Sequence, residues 1–439
     1  MKTRTSLRFV SLCFITILPT MTLASSFQIW EQDGASVGNY HAGYAALAQD
    51  ASTAFYNPAG ITRIKNQQVT FALNGIRTDF QYKGTVTVPT NFPSTLGPFQ
   101  VNGGVFTVVP ALHYVAPLND KLGYGFSIDV PFGLKVNYGE QTFMRYAATM
   151  SELEVIDISP SLGYQLTELL SVGAGLDYQR VNAELDSVVG FAAPGVFDTQ
   201  STNKADGHGY GYHAGVLLQF SPETRLGMSY HSQVQHHLTG TSKFSGPLAA
   251  AVNGGNPLID SENAYVNFTL PAYTALSAFH QFSPQLAVMG SIIYTQWYVF
   301  NELTLNNIAG VAPGNIPSTK ETITMPLHYK NTYNLALGAN YSITPAIVIK
   351  GGLGYDQSPV LNQYRDVRIP DNDHYVVAIG GHYQVTQHVG LDVGWSHFFL
   401  DKTNINPPPL PVGTEIIMTT GKVTGDADVF ALQVTWDIV

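Results

Sequence analysis

The chain has little charge and almost no cysteine. Charged residues make up 12% of its 439 residues, and Cys13 is its single cysteine. A soluble domain carries roughly 25% charged residues, so this composition is unusual for a protein that water surrounds on all sides. Cys13 lies in the N-terminal apolar stretch described below, and the rest of the chain can form no internal disulfide. These shortages point to a membrane protein rather than to a disulfide-stabilised secreted domain.

The chain also lacks a long apolar run outside its first 24 residues. A helix that spans a bilayer needs about 20 consecutive apolar residues. Aromatic residues nevertheless make up 12% of the chain. Because every backbone polar group in lipid must be paired, a closed β-barrel is the membrane structure that remains. An array of secreted β-sandwich domains is the alternative that composition alone leaves open.

The net charge of −10 argues against one class of partner. Nucleic-acid-binding domains are usually basic and carry Lys and Arg in a stripe or patch. The sequence shows no such stripe, so we expect no nucleic-acid partner.

The first 24 residues have the three parts of a secretory signal peptide. Lys2, Arg4 and Arg8 supply the positive region, Phe9–Leu18 the apolar region, and Thr22–Ala24 the small-residue cleavage site. The apolar region is too short to span a bilayer as a helix. We therefore predict that residues 1–24 are removed on export.

Alternation of apolar and polar residues is the main pattern beyond residue 60. In 332–341, Tyr333, Leu335 and Leu337 occupy one face, and Asn334 and Gly338 the other. The segment 430–438 repeats the pattern. Such alternation suits strands with lipid outside and a polar lumen inside. At about 10 residues a strand plus turns, the chain has room for about 12 to 16 strands.

Short and long connections alternate between these strands. We predict tight turns on the periplasmic side and longer connections on the outer side. The tight turns are 117–120, 221–224 and 283–285, and the longer connections are 190–208, 239–263, 306–318 and 404–413. Two outer stretches, 187–197 and 244–252, are unusually apolar and either form an interaction site or fold onto each other. Phe191 and Phe197 in the first are candidate ligand contacts.

Residues 25–60 show no strand alternation and are rich in Gly and Ala. They end in Asn57-Pro58-Ala59-Gly60. A short non-strand segment in front of a barrel has to lie inside that barrel. A plugged barrel is a gated transporter rather than an open pore.

Four stretches together resemble one family, the FadL-type outer-membrane transporters of long-chain fatty acids and related hydrophobic compounds. The first stretch is the N-terminal one, with Phe27-Gln-Ile29 and the Asn57-Pro-Ala59 run. The others are Tyr294–Leu303, which carries Trp297, then Asp356–Val360 followed by Arg368–Tyr375, and finally Leu391–Gly394. The order and spacing extend through nearly the whole chain after the signal peptide. This chain has His374 where the family commonly has Arg, and it ends in Val439 rather than in an aromatic residue.

The resemblance implies an all-β fold, a transmembrane antiparallel β-barrel of about 14 strands with a short N-terminal hatch inside the lumen. Residues 25–60 would be the hatch and 61–439 the barrel. The resemblance also implies a groove among the outer loops, an apolar pocket near the hatch, and lateral release through a gap made by a kinked strand. It implies a monomer in the bacterial outer membrane, in contact with its lipid, that uses no cofactor and performs no chemistry.

Three residues are candidates for ligand binding by this resemblance. Lys330 falls where the family has a lumenal lysine implicated in binding the acid head group, and it shares the parity of Asn334; the alternative is an ordinary pore-lining charge. Arg180 lies two residues from the position at which the family has a partnering arginine, although its parity points outward unless a bulge intervenes. Phe27 matches an N-terminal phenylalanine that enters the apolar pocket; the alternative is a frayed terminus.

Asn57, Pro58 and Ala59 are expected to form the turn between hatch and barrel. Pro fixes φ and Asn hydrogen-bonds its own backbone, so we assign them a structural role in gating. His231, His236 and His237 invite a metal site, but no ligand spacing completes one, and we predict none.

The sequence leaves the substrate open between fatty acids and aromatic or alkane hydrocarbons, because an apolar tunnel discriminates by shape. A general porin and an outer-membrane lipase are further alternatives. The hatch argues against the first, and the absence of a Gly-x-Ser-x-Gly elbow against the second.

Overall fold

The computed structural model describes residues 26–88, 94–190, 198–412 and 415–438. The predicted signal peptide, Phe191 and Phe197 lie outside these residues. Within them, no helix is both long enough and apolar enough to cross a membrane.

Short helices occupy the N-terminal part of the chain. A 3-10 helix spans Val37–Asn39, helix α1 spans Thr53–Tyr56, and a second 3-10 helix spans Pro58–Arg63. The first strand begins at Gln67. The non-strand segment therefore continues past the predicted end at residue 60, and we call residues 26–66 the N-terminal segment.

Twenty β-segments follow. They are β1 Gln67–Val88, β2 Ser94–Asn102, β3 Phe106–Pro117, β4 Leu122–Asn137, β5 Met150–Gln165, β6 Leu170–Val189, β7 Thr199–Gln219, β8 Thr224–His231, β9 Val234–Ser245, β10 Leu258–Leu270, β11 Tyr273–Gln281, β12 Leu286–Thr295, β13 Glu302–Ala312, β14 Ile316–Pro326, β15 Thr332–Thr344, β16 Ile347–Asp356, β17 His374–Gln384, β18 Val389–Ile405, β19 Leu410–Val412 and β20 Glu415–Ile438. Three more short helices interrupt them, the 3-10 helices Phe143–Tyr146 and Trp297–Val299 and helix α2 Pro247–Val252.

These segments form a closed antiparallel barrel of 14 strands, as predicted. The barrel closes where β1 pairs with β20, from Gln67 opposite Ile438 to Thr87 opposite Met418. Six strands are each interrupted once, so that two segments make one strand. These pairs are β2–β3, β8–β9, β10–β11, β12–β13, β14–β15 and β18–β19.

The predicted faces are confirmed. Leu337 is 58% exposed on the outer surface, whereas Asn334 on the opposite face is 4% exposed. In the last strand Trp436 is 52% exposed and Gln433 is fully buried. The barrel thus has an apolar outside and a polar inside, the reverse of a soluble β-sandwich.

Two predicted outer connections are instead strands. β7 begins at Thr199, which pairs with Val189 of β6, so residues 199–208 of the predicted connection belong to the β6–β7 pairing. β13 and β14 likewise form a hairpin through 306–318. Strands that extend beyond the lipid face water on both sides and need no apolar face, so their sequences lack the alternation on which the prediction depends.

The two apolar outer stretches fold onto each other where the structure describes them. Val189 from the first and Phe244 and Ala249 from the second pack in one buried cluster with Ile259 and Ala309. Among the described residues this cluster hides the apolar side chains rather than offering them to solvent.

Candidate functional site

The N-terminal segment lies inside the barrel and is bound by side chains of the wall. Ser291 Oγ accepts hydrogen bonds from the N–H groups of Gly43 (2.9 Å) and Tyr44 (3.0 Å). Ser277 Oγ accepts one from the Ala45 N–H at 3.0 Å. An irregular buried segment cannot pair all its backbone groups with itself. The small polar residues of the lumenal face provide the missing partners.

Two positively charged side chains of the wall hydrogen-bond backbone carbonyls of the same segment. Arg225 donates from Nε to the Ala46 carbonyl (2.9 Å) and from its terminal nitrogen to Leu47 (3.0 Å). Lys350 Nζ donates to the Ala35 carbonyl at 2.6 Å and to Asp392 at 2.8 Å. These charges hold the segment in the lumen.

Asn57 joins the segment to the wall. Its Oδ1 accepts the Ala59 N–H (3.1 Å), which is the predicted bond of the side chain to its own backbone. Its Nδ2 donates to the Ala45 carbonyl (2.6 Å) and to Val216 in β7 (3.1 Å). Asn57 caps the 3-10 helix that Pro58 begins, and any side chain at Gly215 would collide with its amide group.

An apolar cavity lies beside the start of the N-terminal segment. The Phe27 ring packs against Trp297, with centroids 4.9 Å apart, and against Phe300 at 5.3 Å. Phe27 is 3% exposed, and the cavity beside it has a volume of about 110 Å³. Its lining is mostly apolar and includes Leu134, Leu153, Ala205, Val266, Phe268, Leu303, Leu327, Tyr329, Val360 and Ile369. Phe27, a candidate ligand contact from the sequence, lines this cavity.

The strand around Trp297 is broken between β12 and β13. Trp297 begins a one-turn 3-10 helix between β12 and β13 and is fully buried. A second break, at residues 327–331, separates β14 from β15. Both breaks turn large side chains into the lumen beside Phe27, which alternation along a strand could not reveal.

The cavity has one polar end. Its charged lining residues are Lys204, Arg368, Glu152 and Asp366, and Asn203 and Thr241 add uncharged polar groups. Lys204 Nζ pairs with Glu184 at 2.9 Å. The cavity therefore joins a long apolar wall to a small group of donors and charges.

Arg368 is the cation at this end that sequence reasoning missed. It lies in the connection between β16 and β17, and its guanidinium donates to Ser151 Oγ (2.7 Å) and to the Ala147 carbonyl (2.8 Å). Burial lowers the pKa of Arg368, and the nearby carboxyl of Asp366 counteracts that change. Arg368 belongs to the Arg-Ile-Pro-Asp stretch that carried the family resemblance, but nothing in its spacing indicated a cavity.

Lys330 lies elsewhere. It is part of the break at residues 327–331, so the parity argument that placed it on a lumenal strand face was wrong. Its side chain is partly buried and is not among the described residues that line the cavity. Burial raises the pKa of Asp373 to about 7, and the charge of Lys330 is one of the influences that oppose this rise. Lys330 is therefore an electrostatic neighbour of Asp373.

Arg180 points outward, as its parity indicated. Its guanidinium pairs with Asp206 at 2.6 Å, and the two side chains are 46% and 55% exposed. Arg180 does not belong to the described lining of the cavity. The bulge that could have turned it inward is absent from the continuous β6–β7 ladder.

The wall has a gap beside Phe27. Pairing between β3 and β4 stops at Leu112 opposite Ile128. Beyond this point β4 carries a bulge, since its register with β5 shifts between Asp129 and Phe132. Pro131 lies in the bulge and has no N–H to donate. This bulge bends β4 at the point where its pairing with β3 ends.

The N-terminal segment takes the place of β3 at the gap. The Ile29 N–H donates to the Pro131 carbonyl (2.9 Å), and the Gly133 N–H donates to the Phe27 carbonyl (2.9 Å). A second cavity, of about 240 Å³, lies here and reaches Val108 on the outer surface. Phe27 lines this cavity and the apolar one. Its side chain stands between the pocket and the gap.

The histidines contact other wall residues. His236 pairs with Gln179 at 3.1 Å, and His237 is exposed. Among the described residues one group, Asp177 with His213 and His231, has potential ligand atoms within 4.8 Å of one another. His213 already bonds Asp177 at 2.5 Å and stacks on His231, so we assign this group to packing of the wall.

Asp371 ties the start of the N-terminal segment to the connection between β16 and β17. Its Oδ2 accepts hydrogen bonds from the Ser26 N–H (2.7 Å) and the Ser358 hydroxyl (2.6 Å). Burial raises the pKa of Asp371 from 3.8 to about 8, and the two hydrogen bonds and Arg365 only partly offset this. The Ser26 N–H bond by itself favours the ionised carboxyl, but burial, to which the docked segment contributes, favours the protonated form more strongly. The resulting contribution of Asp371 to folding stability is complete below about pH 4 and is lost as the pH rises through about 8.

We expect the start of the segment to loosen at alkaline pH. Because Cys13 lies in the predicted signal peptide, a Ser26→Cys variant offers one thiol for labelling. Its labelling rate, relative to an exposed Asn256→Cys reference that corrects for thiolate formation, should rise about tenfold between about pH 6 and pH 9. An Asp371→Asn substitution should flatten this ratio. A ratio that rises equally in both backgrounds would rule out Asp371 as the titrating group.

The sequence profile of one family, described as outer membrane protein transport protein (OMPP1/FadL/TodX), matches residues 15–438. Among curated relatives, outer membrane protein P1 of Haemophilus influenzae is 29% identical over 85% of this chain and 86% of its own length. The long-chain fatty acid transport protein of Salmonella typhi is 27% identical over 91% of this chain and 93% of its own.

Solved structures show the same fold. A FadL homologue of Pseudomonas aeruginosa superposes with a TM-score of 0.82 at 24% identity, over 94% of this chain and all of that one. The toluene transporter TodX of Pseudomonas putida superposes with a TM-score of 0.67 at 17% identity, over 94% of this chain and 100% of that one.

Proposed function

The chain belongs to the OMPP1/FadL/TodX family of outer-membrane transport proteins, and we propose that the hydrophobic compounds it transports are long-chain fatty acids. The barrel lies in the bacterial outer membrane. Transport is passive, and the ligand leaves chemically unchanged.

The observation that carries this proposal is the composition of the cavity beside Phe27, whose lining is mostly apolar but includes the cations Lys204 and Arg368 beside the carboxyl groups of Glu152 and Asp366. A fatty acid chain gains about 0.8 kcal/mol for each buried CH₂ group. Its carboxylate needs a cation or several donors, because an unpaired buried charge is costly. Arg368 and Lys204 offer these at the polar end.

The position of Phe27 links binding to gating. Its ring lines both the apolar cavity and the cavity at the gap, so an acid that moves from one to the other has to displace Phe27. Phe27 belongs to the N-terminal segment, whose neighbouring backbone bonds β4 at the gap. Displacing Phe27 would therefore weaken the contact that closes the wall, and the ligand would leave sideways into the membrane.

One observation favours a second candidate, monoaromatic hydrocarbons. An apolar cavity of about 150 Å³ is known to hold benzene. The present cavity approaches this size and is bordered by aromatic rings. A neutral ring would need no contact with Arg368, so head-group variants distinguish the two candidates.

We expect Arg368→Gln to weaken binding of palmitate to the purified barrel about tenfold or more, because its carboxylate loses a charged partner. Binding of hexadecane, which has the same length and no charge, should stay within about twofold and serves as the control for folding. Lys330→Ala tests the residue named by the family resemblance and should have the smaller effect. Fluorescent-probe displacement measures all three.

Equal losses for palmitate and hexadecane in Arg368→Gln would show that the variant disturbs the cavity itself. An unchanged palmitate affinity in both variants, with tight binding of toluene, would replace fatty acids by aromatic hydrocarbons as the substrate class.

A further inference from the structure

Three lysines gather on the outer surface of three adjacent strands. Lys83 on β1 stands directly opposite Lys422 on β20, and Asn404 on β18 stands opposite Lys422 from the other side. Lys402 is two residues from Asn404. All three lysines line one open recess of about 650 Å³, which we call the lysine recess.

The lysine side chains face away from the lumen. Tyr82, Val423 and Ile405 belong to a buried cluster inside the barrel and are each at most 2% exposed. Because strand residues alternate between faces, Lys83 and Lys422, which adjoin the first two, point outward. Lys402 and Asn404 are two residues apart and both exposed, whereas Thr403 and Ile405 are buried. Lys402 therefore lies on the outer face with Asn404. A ligand that crosses the lumen therefore does not meet these lysines.

The arrangement is electrostatically unfavourable in the bare protein. Like charges directly opposite each other in an antiparallel pair destabilise it. Within the described parts of the chain, none of the three ammonium groups has a carboxylate within 4.0 Å, although Lys135, Lys204 and Arg180 each do. Among the residues that the structure describes, the lining of the recess contains neither Asp nor Glu. Its other polar residues are Gln81, Gln100, Asn404, Asn406, Thr420 and Thr424.

The recess lies just beyond the apolar band of the barrel, on the side away from the tight turns. Phe399 is 50% exposed on β18 and pairs with Asp426. Lys422 lies on β20 with Asp426, four residues farther from the tight turns. This separation corresponds to about 13 Å along the strand or about 10 Å along the barrel axis. This places the ammonium groups level with the head groups of the outer leaflet.

We propose that the lysine recess binds the phosphate groups of the phosphorylated glycolipid that forms the outer leaflet, a lipid of the lipid A type. A phosphate group carries a charge of about −1.5 to −2 and three acceptor oxygens, so one phosphate of the glycolipid can bridge the opposed Lys83 and Lys422. The amide and hydroxyl side chains around the lysines can hydrogen-bond the sugar. The position beside the apolar band lets the acyl chains lie along the wall at the same time.

The test compares bisphosphorylated and dephosphorylated lipid A on the purified full-length barrel in detergent. Wild-type protein should bind the bisphosphorylated form at least about tenfold more tightly, and this preference should fall as salt rises. Lys83→Gln/Lys422→Gln should lose the preference. Lys65→Gln/Lys121→Gln, which removes the same charge from exposed lysines at the tight-turn end, should keep it. Native mass spectrometry counts the bound lipid.

A second measurement separates binding from misfolding. Without lipid, Lys83→Gln/Lys422→Gln should unfold at the same or a higher temperature than wild type, because a like-charge pair is removed. Bisphosphorylated lipid A should raise the unfolding temperature of wild type only. Equal binding of both lipid forms, or equal binding by wild type and variant, overturns the proposal. Full competition by inorganic phosphate at equimolar concentration would identify the ligand as free phosphate instead. Palmitate binding should be unaffected, so this proposal and the transport proposal fail independently.

Discussion

Deletion of residues 26–56 is expected to raise the ion conductance of the barrel in planar bilayers by about an order of magnitude, because a 14-stranded wall without its filling encloses a wide aqueous lumen. The filled lumen depends on the N-terminal segment. Asn39 and Ala46 from this segment are fully buried against the wall. The polar wall groups that bond the segment would then line a water channel.

A point variant is the matched control for this deletion. Asn57→Ala removes the hydrogen bonds to Ala45 and Val216 but leaves the segment in place, so it should give brief openings rather than a steady pore. Heat-dependent gel mobility reports whether each barrel has folded. If a folded deletion variant conducts no more than wild type, the segment is not what closes the lumen.

Removing the bulge in β4 is expected to abolish uptake while leaving ligand binding intact. Between Asp129 and Phe132, β4 has two residues where β5 has one, so deletion of Pro131 restores a continuous register. β4 can then pair with β3 along its length and close the gap. Uptake of a labelled fatty acid by cells should fall by about tenfold or more, because the lateral path is closed by backbone hydrogen bonds.

Pro131→Ala provides the control because it keeps the number of residues in the bulge and therefore the gap. It should transport at close to the wild-type rate. Palmitate binding to the purified variant that lacks Pro131 shows whether the cavity beside Phe27 persists. If the deletion variant binds and transports normally, the ligand leaves past the N-terminal segment toward the tight turns instead of sideways.

Much of the barrel could be predicted because lipid imposes a local pattern. Every second residue of a spanning strand meets lipid, so Leu337 and Asn334 reveal their faces from sequence spacing alone. The turn at Asn57 is local as well, since its side chain bonds Ala59 two residues away. Where strands leave the lipid this pattern ends, and the sequence understated the strands after Val189.

The cavity beside Phe27 could not be predicted in this way. Phe27 and Trp297 are 270 residues apart in the sequence, and their contact exists only because one strand breaks and the N-terminal segment enters the lumen. Lys330 was placed by strand parity at a position where no strand exists. Arg368 reaches the cavity from a connection whose path depends on bonds to Ser151 and other distant residues.

The sequence by itself determined that this protein is a β-barrel of the outer membrane with an N-terminal segment that does not belong to the wall. This was possible because contact with lipid on one face of each strand and with the polar lumen on the other directly sets the composition and the alternation of residues. Only the tertiary structure decided where the wall has a gap and which side chains line the cavity beside Phe27. Breaks in strands, the bulge at Pro131 and the docking of Phe27 are settled by contacts between residues far apart in the chain, and no local pattern encodes them.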